Sequence, residues 1–211
     1  MDRPCWDSTG NRHSPVWSSP MAMIVVDDRE IHLKIVYYGP GLSGKTTNLI
    51  WLHEHLPSSG RSPLVSIEGG QDRTLFFDFL PLELPPIDGY LVRLHVYSVP
   101  GQERFGATRA THLRGVDGIV FVADSARDRL ADNRESLREL ESSLTRLGFD
   151  SGDIPLVFQY NKRDLAGAFT KPQLDAHLNP IGKPSLAASA INGDGVVEAL
   201  RAILQQVIRR V

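Results

Sequence analysis

Cysteine is almost missing from this chain: Cys5 stands alone among 211 residues. No intramolecular disulfide can form, so a reducing compartment is the expected home. Also missing is any apolar run approaching the roughly 20 residues that a membrane span requires. The terminal "VIRRV" is not a prenylation box, and residue 2 is Asp2 rather than the glycine that myristoylation needs. A cytoplasmic protein without a stable membrane anchor is therefore expected. An excess of charge is lacking as well. Lys and Arg number 23 against 25 Asp and Glu, a net charge of −2, which gives nucleic acid no reason to be a main partner. No internal repeat stands out. What is present is ordinary globular material, 41% hydrophobic and 23% charged, enough for one full core.

The first 22 residues, rich in Ser, Pro and Asp and without periodicity, read as a disordered extension, with Trp6 and Trp17 on a loose tail. Residues 23–211 read as one domain in which strands alternate with helices. "IHLKIVYYG" alternates in the manner of a strand, and "KTTNLIWLHEHL" reads as a helix ending at Pro57. "TLFFDFLPL" and "GYLVRLHVYSV" form two further strands, joined as an antiparallel hairpin through "PLELPPIDG". "VDGIVFVADS" is a nearly continuous apolar run, as a strand buried on both faces should be. A helix over 130–147 carries Leu137, Leu140, Leu144 and Leu147 on one stripe, and "IPLVFQYN" is the next strand. Thr170 is placed to cap a short helix in "TKPQLDAHL", and "KPSLAAS" holds a last short strand. The final helix, about 195–209, presents Val196, Val197, Leu200, Ile203, Leu204, Val207 and Ile208 to the core. The fold class is α/β: a three-layer sandwich on a mostly parallel sheet with one antiparallel hairpin strand, its ligands at the strand C-terminal edge.

The stretch "YYGPGLSGKTTN" contains G-x-x-x-x-G-K-[ST] between a strand and a helix. Gly39, Gly41 and Gly44 let the backbone turn tightly and aim N–H groups at phosphate oxygens, and the helix dipole adds positive potential. The run Gly41, Leu42, Ser43, Gly44, Lys45, Thr46 and Thr47 is the candidate phosphate-binding segment. Lys45 supplies a point charge between the β- and γ-phosphates, and the Thr46 hydroxyl is placed for Mg²⁺. Adenine and guanine nucleotides both remain open at this loop.

"NKRD", Asn161 to Asp164, follows directly on a strand. The Asp164 carboxylate can accept from guanine N1–H and its exocyclic amine, a donor pair that adenine does not offer. Asn161 would brace the pocket, and the aliphatic stem of Lys162 would cover the base plane. At the next strand end, small Ser189 and Ala190 would let a backbone N–H approach guanine O6.

In this order the motifs resemble a Ras-like small GTPase. Within that superfamily "KIVYYGPGLSGKTTNL", "DRTLFFDFLP", "YSVPGQE", "GVDGIVFVADS" and "QYNKRDL" resemble the bacterial gliding-motility and polarity GTPases of the MglA type. The resemblance covers about residues 31–208. It implies that GTP is bound with Mg²⁺ and hydrolysed slowly to GDP, so that the protein switches a polarity or surface-motility pathway. Gln102 stands where the glutamine that orients the attacking water sits, and Gly101 where a backbone N–H senses the γ-phosphate. Thr74 resembles the switch threonine that meets Mg²⁺, and Arg73 the arginine that this family supplies from its own chain. Ser98 stands where Ras-like proteins carry an Asp, a departure the MglA type shares. The pair Gly69-Gly70 upstream of the switch departs from the type and is expected to make that loop more mobile, while Glu103, Arg104 and Phe105 after the glutamine, more like Ras and Rab proteins, leave partner choice open.

The resemblance further implies a roadblock/LC7-fold (MglB-like) activating protein, a dimer that orders Arg73 and Gln102 without inserting its own arginine, and recruitment to a cell pole. Downstream effectors are not readable. The rival readings are a GTP-binding scaffold that does not turn over, and a P-loop ATPase or small-molecule kinase, against which "NKRD" argues. His53 and His55, two apart on a helix, make a poor metal pair. "DSARDRLADNRESLREL" is expected to be a solvated charged face.

Overall fold

The computed structural model describes residues 23–25, 28–56, 65–67, 77–99, 111–150 and 152–210. In chain order the elements are β1 (Met23–Val25), β2 (Glu30–Tyr38), α1 (Lys45–His55), β3 (Val65–Ile67), β4 (Phe77–Ile87), β5 (Tyr90–Ser98) and β6 (Gly118–Asp124). A 3₁₀ turn (Arg127–Arg129), α2 (Leu130–Arg146), β7 (Leu156–Asn161), α3 (Lys171–Leu178), β8 (Ser185–Ala187) and α4 (Val196–Ile208) follow. The strands form one sheet in the order β3-β4-β5-β2-β6-β7-β8, with β1 beside β2. The β2–β5, β2–β6, β6–β7 and β7–β8 pairings are parallel, and β4 is the antiparallel hairpin strand on β5.

Three features depart from the sequence expectation. The connection "PLELPPIDG" is mostly strand: β4 runs on through Pro81, Pro85 and Pro86, and the reversal is only Asp88–Gly89. Both turn residues have positive φ (49 and 83), the geometry that matches the twist of a two-residue hairpin. Among the described residues β3 pairs only as far as Phe79, so the prolines lie where β4 has no second partner strand, and the register shifts between Leu84 and Ile87. A missing N–H costs little at an edge or a bulge. The other departures are three-residue strands too short to announce themselves: β3, antiparallel to β4, and β1, which pairs antiparallel with the start of β2 on the side that β6 occupies further along.

Alternation along the strands sorts the core into two layers. Leu33, Ile35, Tyr37, Leu94, Val96, Val120 and Val122 meet Leu49 and Leu52 of α1 and Val196, Leu200, Ile203 and Val207 of α4. On the other face Val36, Tyr38, Phe121, Phe158 and Tyr160 meet Leu140 of α2 and Leu174 and Leu178 of α3. All seven residues of β6 are buried, which explains the apolar run that extends to Ala123. The α4 stripe holds except at its end, where Ile208 is exposed. Thr170 caps α3 as expected, in a capping box with Gln173. Among the described residues no helix is long and apolar enough to cross a membrane.

Candidate functional site

The ends of β2, β6 and β7 and the start of α1 open on one edge of the sheet, where the sequence places its phosphate loop. Between β2 and α1 the chain turns with Leu42 and Gly44 both at positive φ (63 and 97). Turns of alternating hand point successive N–H groups inward, the arrangement of an anion nest. Gly44 is also the N-cap of α1 and offers no side chain to the first-turn amides, which leaves them for an anion. Lys45 is buried, and its ammonium donates to the Gly39 and Pro40 carbonyls at 3.0 and 2.6 Å. The hydroxyl of Ser43 is buried with no protein partner among the described residues. Thr46 and Thr47 lie exposed at the start of α1. A buried cation, a helix N-terminus without a side-chain cap and a hydroxyl with no partner among the described residues fit a phosphate group in one loop.

The candidate base-reading residues gather against this loop. Asn161, the last residue of β7, donates through Nδ2 to the Ser43 carbonyl at 2.8 Å, and its Oδ1 accepts from the Ala190 N–H at 2.8 Å. One buried side chain thus joins the phosphate loop, the N-K-x-D turn and the Ser189–Ala190 turn. Close approach makes glycine necessary at position 44, because a Cβ there would fall 2.2 Å from Asn161 Nδ2. Ser189 donates its hydroxyl to Asp164 Oδ1 at 2.6 Å, leaving the other carboxylate oxygen for a ligand. Behind them Gln159 donates to Asn48, and Asn48 donates to the Gly44 carbonyl, at 2.8 and 2.9 Å. This polar line inside the core connects β7 to the first turn of α1. The motif search missed both residues, because neither Asn48 nor Gln159 belongs to a recognisable pattern.

At Lys162 the chain turns left-handed (φ 64), and the side chain reaches back to the end of β6, where its ammonium donates to Asp124 Oδ2 at 2.7 Å. Arg129 donates to the Gly41 carbonyl at 2.8 Å. The charged stretch after β6 is therefore not only a solvated face. Ser98 ends β5 beside Tyr37 and is buried. Of the remaining candidates, Arg73, Thr74, Gly101 and Gln102 lie outside the described residues. So do Gly69, Gly70, Glu103, Arg104, Phe105 and the extension 1–22.

Residues 86–207 match the model of the ADP-ribosylation factor family. The Mutual gliding-motility protein MglA of Myxococcus xanthus (strain DK1622) is 47% identical over 188 residues, which cover 89% of this chain and 96% of that protein. Human ADP-ribosylation factor-like protein 4A is 26% identical over 190 residues, 83% of this chain and 84% of its own length. ADP-ribosylation factor-like protein 2 of Arabidopsis thaliana is 26% identical over 164 residues, with 74% and 85% covered. With the phosphate loop and the candidate base turns joined through Asn161, with a family model over residues 86–207 and a relative 47% identical over 89% of the chain, this protein belongs to the ADP-ribosylation factor family of Ras-like small GTPases, in its MglA type.

Proposed function

We propose that this GTPase is a molecular switch that binds GTP with Mg²⁺, hydrolyses it slowly on its own, and changes partners between its GTP and GDP states to control cell polarity or gliding motility. The observation that carries the guanine part is the join made by Asn161 between Ser43 and Ala190. It joins the phosphate loop to the proposed base turns, which supports a reading in which Asp164, held through Oδ1 by Ser189, accepts from guanine through its other oxygen. ATP leaves that acceptor without its donors.

The chemistry asks for positioning and charge stabilisation more than for covalent help. Lys45 and the α1 amides hold the phosphates. Asp164, Lys162, Ser189 and Ala190 hold the base. Mg²⁺, when bound, neutralises charge on the β- and γ-oxygens, and Thr46 and Thr74 are the hydroxyls proposed to ligate it. Gln102 orients the attacking water, Gly101 senses the γ-phosphate through its N–H, and Arg73 supplies positive charge to the transferring phosphoryl. A dimeric roadblock-fold activating protein would act by ordering Arg73 and Gln102. Motility as the process rests on the name of the Myxococcus relative and on the extent of the match to it.

The test is a single-turnover assay that follows phosphate release from GTP, with ATP as control, for the wild type and Arg73→Ala. GTP-only turnover that falls roughly tenfold or more in the variant is the result expected for a transition-state charge contact. Equal turnover of ATP removes the guanine reading. Binding of GTP with no turnover, even after a roadblock-fold dimer is added, makes the protein a recruiting scaffold.

A further inference from the structure

The last residue of β6 is a carboxylate with almost no access to water: Asp124 is 1% exposed. Every polar group it has is engaged. Its backbone N–H donates to Asn133 Oδ1 at 2.9 Å, and its carbonyl accepts from Asn133 Nδ2 at 2.8 Å. Oδ1 accepts from the Ala126 N–H at 3.0 Å, and Oδ2 accepts from the Lys162 ammonium at 2.7 Å. A second cation stands beside it, with Arg129 Nε 3.9 Å from the same Oδ2. Arg129 also pairs with Asp132 and donates from Nη2 to the Gly41 carbonyl at 2.8 Å. One buried carboxylate therefore faces a cation from the base turn and a cation whose far side ends on the phosphate loop.

Placement of this kind has a consequence for the ligand. Lysine is a flexible four-carbon stem with a compact charge, and a stem that is to lie along a base plane works only if its head is fixed. Asp124 fixes it before any ligand arrives, with an orientation that Asn133 sets through two main-chain bonds. Arg129 does the corresponding work at Gly41, whose carbonyl would otherwise be free to turn toward phosphate oxygens and repel them. Its planar guanidinium meets Gly41, Asp132 and Asp124 from a single position, which an ammonium cannot do.

We propose that Asp124 and Arg129 are positioning residues for the nucleotide. Asp124 sets Lys162 over the base, and Arg129 holds Gly41 of the phosphate loop. Together they make a second bridge between the two subsites, beside the Asn161 join, since Asp124 and Asn161 are register partners on β6 and β7. The proposal rests on the guanine-nucleotide reading above.

The experiment measures the dissociation rate of a fluorescent GDP from the full chain in Mg²⁺ buffer. The variants are Asp124→Asn, Lys162→Met, their double substitution, Arg129→Ala and Arg129→Lys, each checked for a folded melting transition. Loss of a charge-assisted bond predicts dissociation roughly ten- to a hundredfold faster in Asp124→Asn. The same change should add nothing in the Lys162→Met background, because Asp124 acts through Lys162. Arg129→Ala should also speed release, and Arg129→Lys should recover part of it. A merely structural Asp124 would give additive effects in the double variant, and that result, or unchanged rates, overturns the proposal. If Asp124→Asn does not fold, the Arg129 pair decides alone. A wild type that retains GDP while the variants behave like it sinks only the positioning role. A wild type that binds no GDP sinks the guanine reading and the proposal with it.

Discussion

The indole of Trp51 fills the space that a side chain at Gly193 would need. A Cβ on Gly193 would lie 2.3 Å from Trp51 Cε2, and the backbone there has φ +87. Trp51 sits on α1, two turns beyond Lys45, and stacks on His55 at 4.1 Å. Gly193 closes the loop that begins with Ser189 and Ala190, anchored where the Ser189 N–H donates to the Asp194 carbonyl at 2.9 Å. The helix behind the phosphate loop and the turn beneath the base are therefore in direct contact.

Gly193→Ala should disturb that contact twice, by a steric clash with a ring and by a left-handed φ that alanine resists. We expect a loss of about 1–3 kcal/mol, felt as weaker guanine-nucleotide binding because Ala190 shifts away from Asn161. Calorimetric titration with GDP measures it. The intrinsic emission of Trp51 should change in the same variant, and wild-type affinity would remove the idea that this loop is held from α1.

Asn161→Ala removes both bonds of the join and leaves the Ser43 carbonyl and the Ala190 N–H without their partner. A buried group deprived of its partner costs ~1–3 kcal/mol, so GDP affinity should fall by at least tenfold. Asn161→Asp should be nearly as harmful, since a carboxylate cannot donate to Ser43. Equilibrium binding of GDP to both variants is the check, and an Asp variant with native affinity would show the Ser43 bond to be dispensable.

Stability should depend on pH through Asp117. Its carboxylate is 7% exposed and accepts from the Lys34 N–H at 2.6 Å, and burial raises its pKa to about 6. The sign follows from proton uptake. Between the ordinary carboxylate pKa and about 6, the folded chain holds a proton that the unfolded chain has released, so this group's contribution falls as pH rises through that window. Asp117→Asn has no such dependence. The melting temperature of the wild type should drop relative to that variant from pH 4 to 6 and then stay level. Parallel melting curves would show that Asp117 ionises normally.

Ser98 offers a test of the metal. An aspartate at this buried position brings a charge into the interior, which should destabilise the metal-free chain by about 1–3 kcal/mol. Mg²⁺ with GDP should restore most of it by supplying the counter-charge. Thermal melts of Ser98→Asp with Mg²⁺ and with a chelator decide the matter, and a loss that Mg²⁺ does not touch would place Ser98 away from the ion.

Much of this could be read in the chain itself. The apolar run of β6, the capping of α3 by Thr170 and the phosphate loop between β2 and α1 each follow from local rules of burial, capping and turn chemistry. Those rules failed at β4, because proline reads as a break unless one knows that the strand is at an edge. They failed at β1 and β3 as well, where three residues are too few to show alternation. They failed again after β6, where Asp124 and Arg129 look like any other charges in a run of charges.

Sequence alone determined the order of the longer strands and helices and the residue types that a guanine nucleotide requires, since periodicity and motif spacing are local properties. Tertiary structure decided which of those residues meet. Asn161 finds Ser43 across 118 positions, and Arg129 finds Gly41 across 88. Nothing near either residue in the chain records that meeting. It arises because parallel β2, β6 and β7 end together at one edge of the sheet, where loops distant in sequence compete for the same buried polar partners.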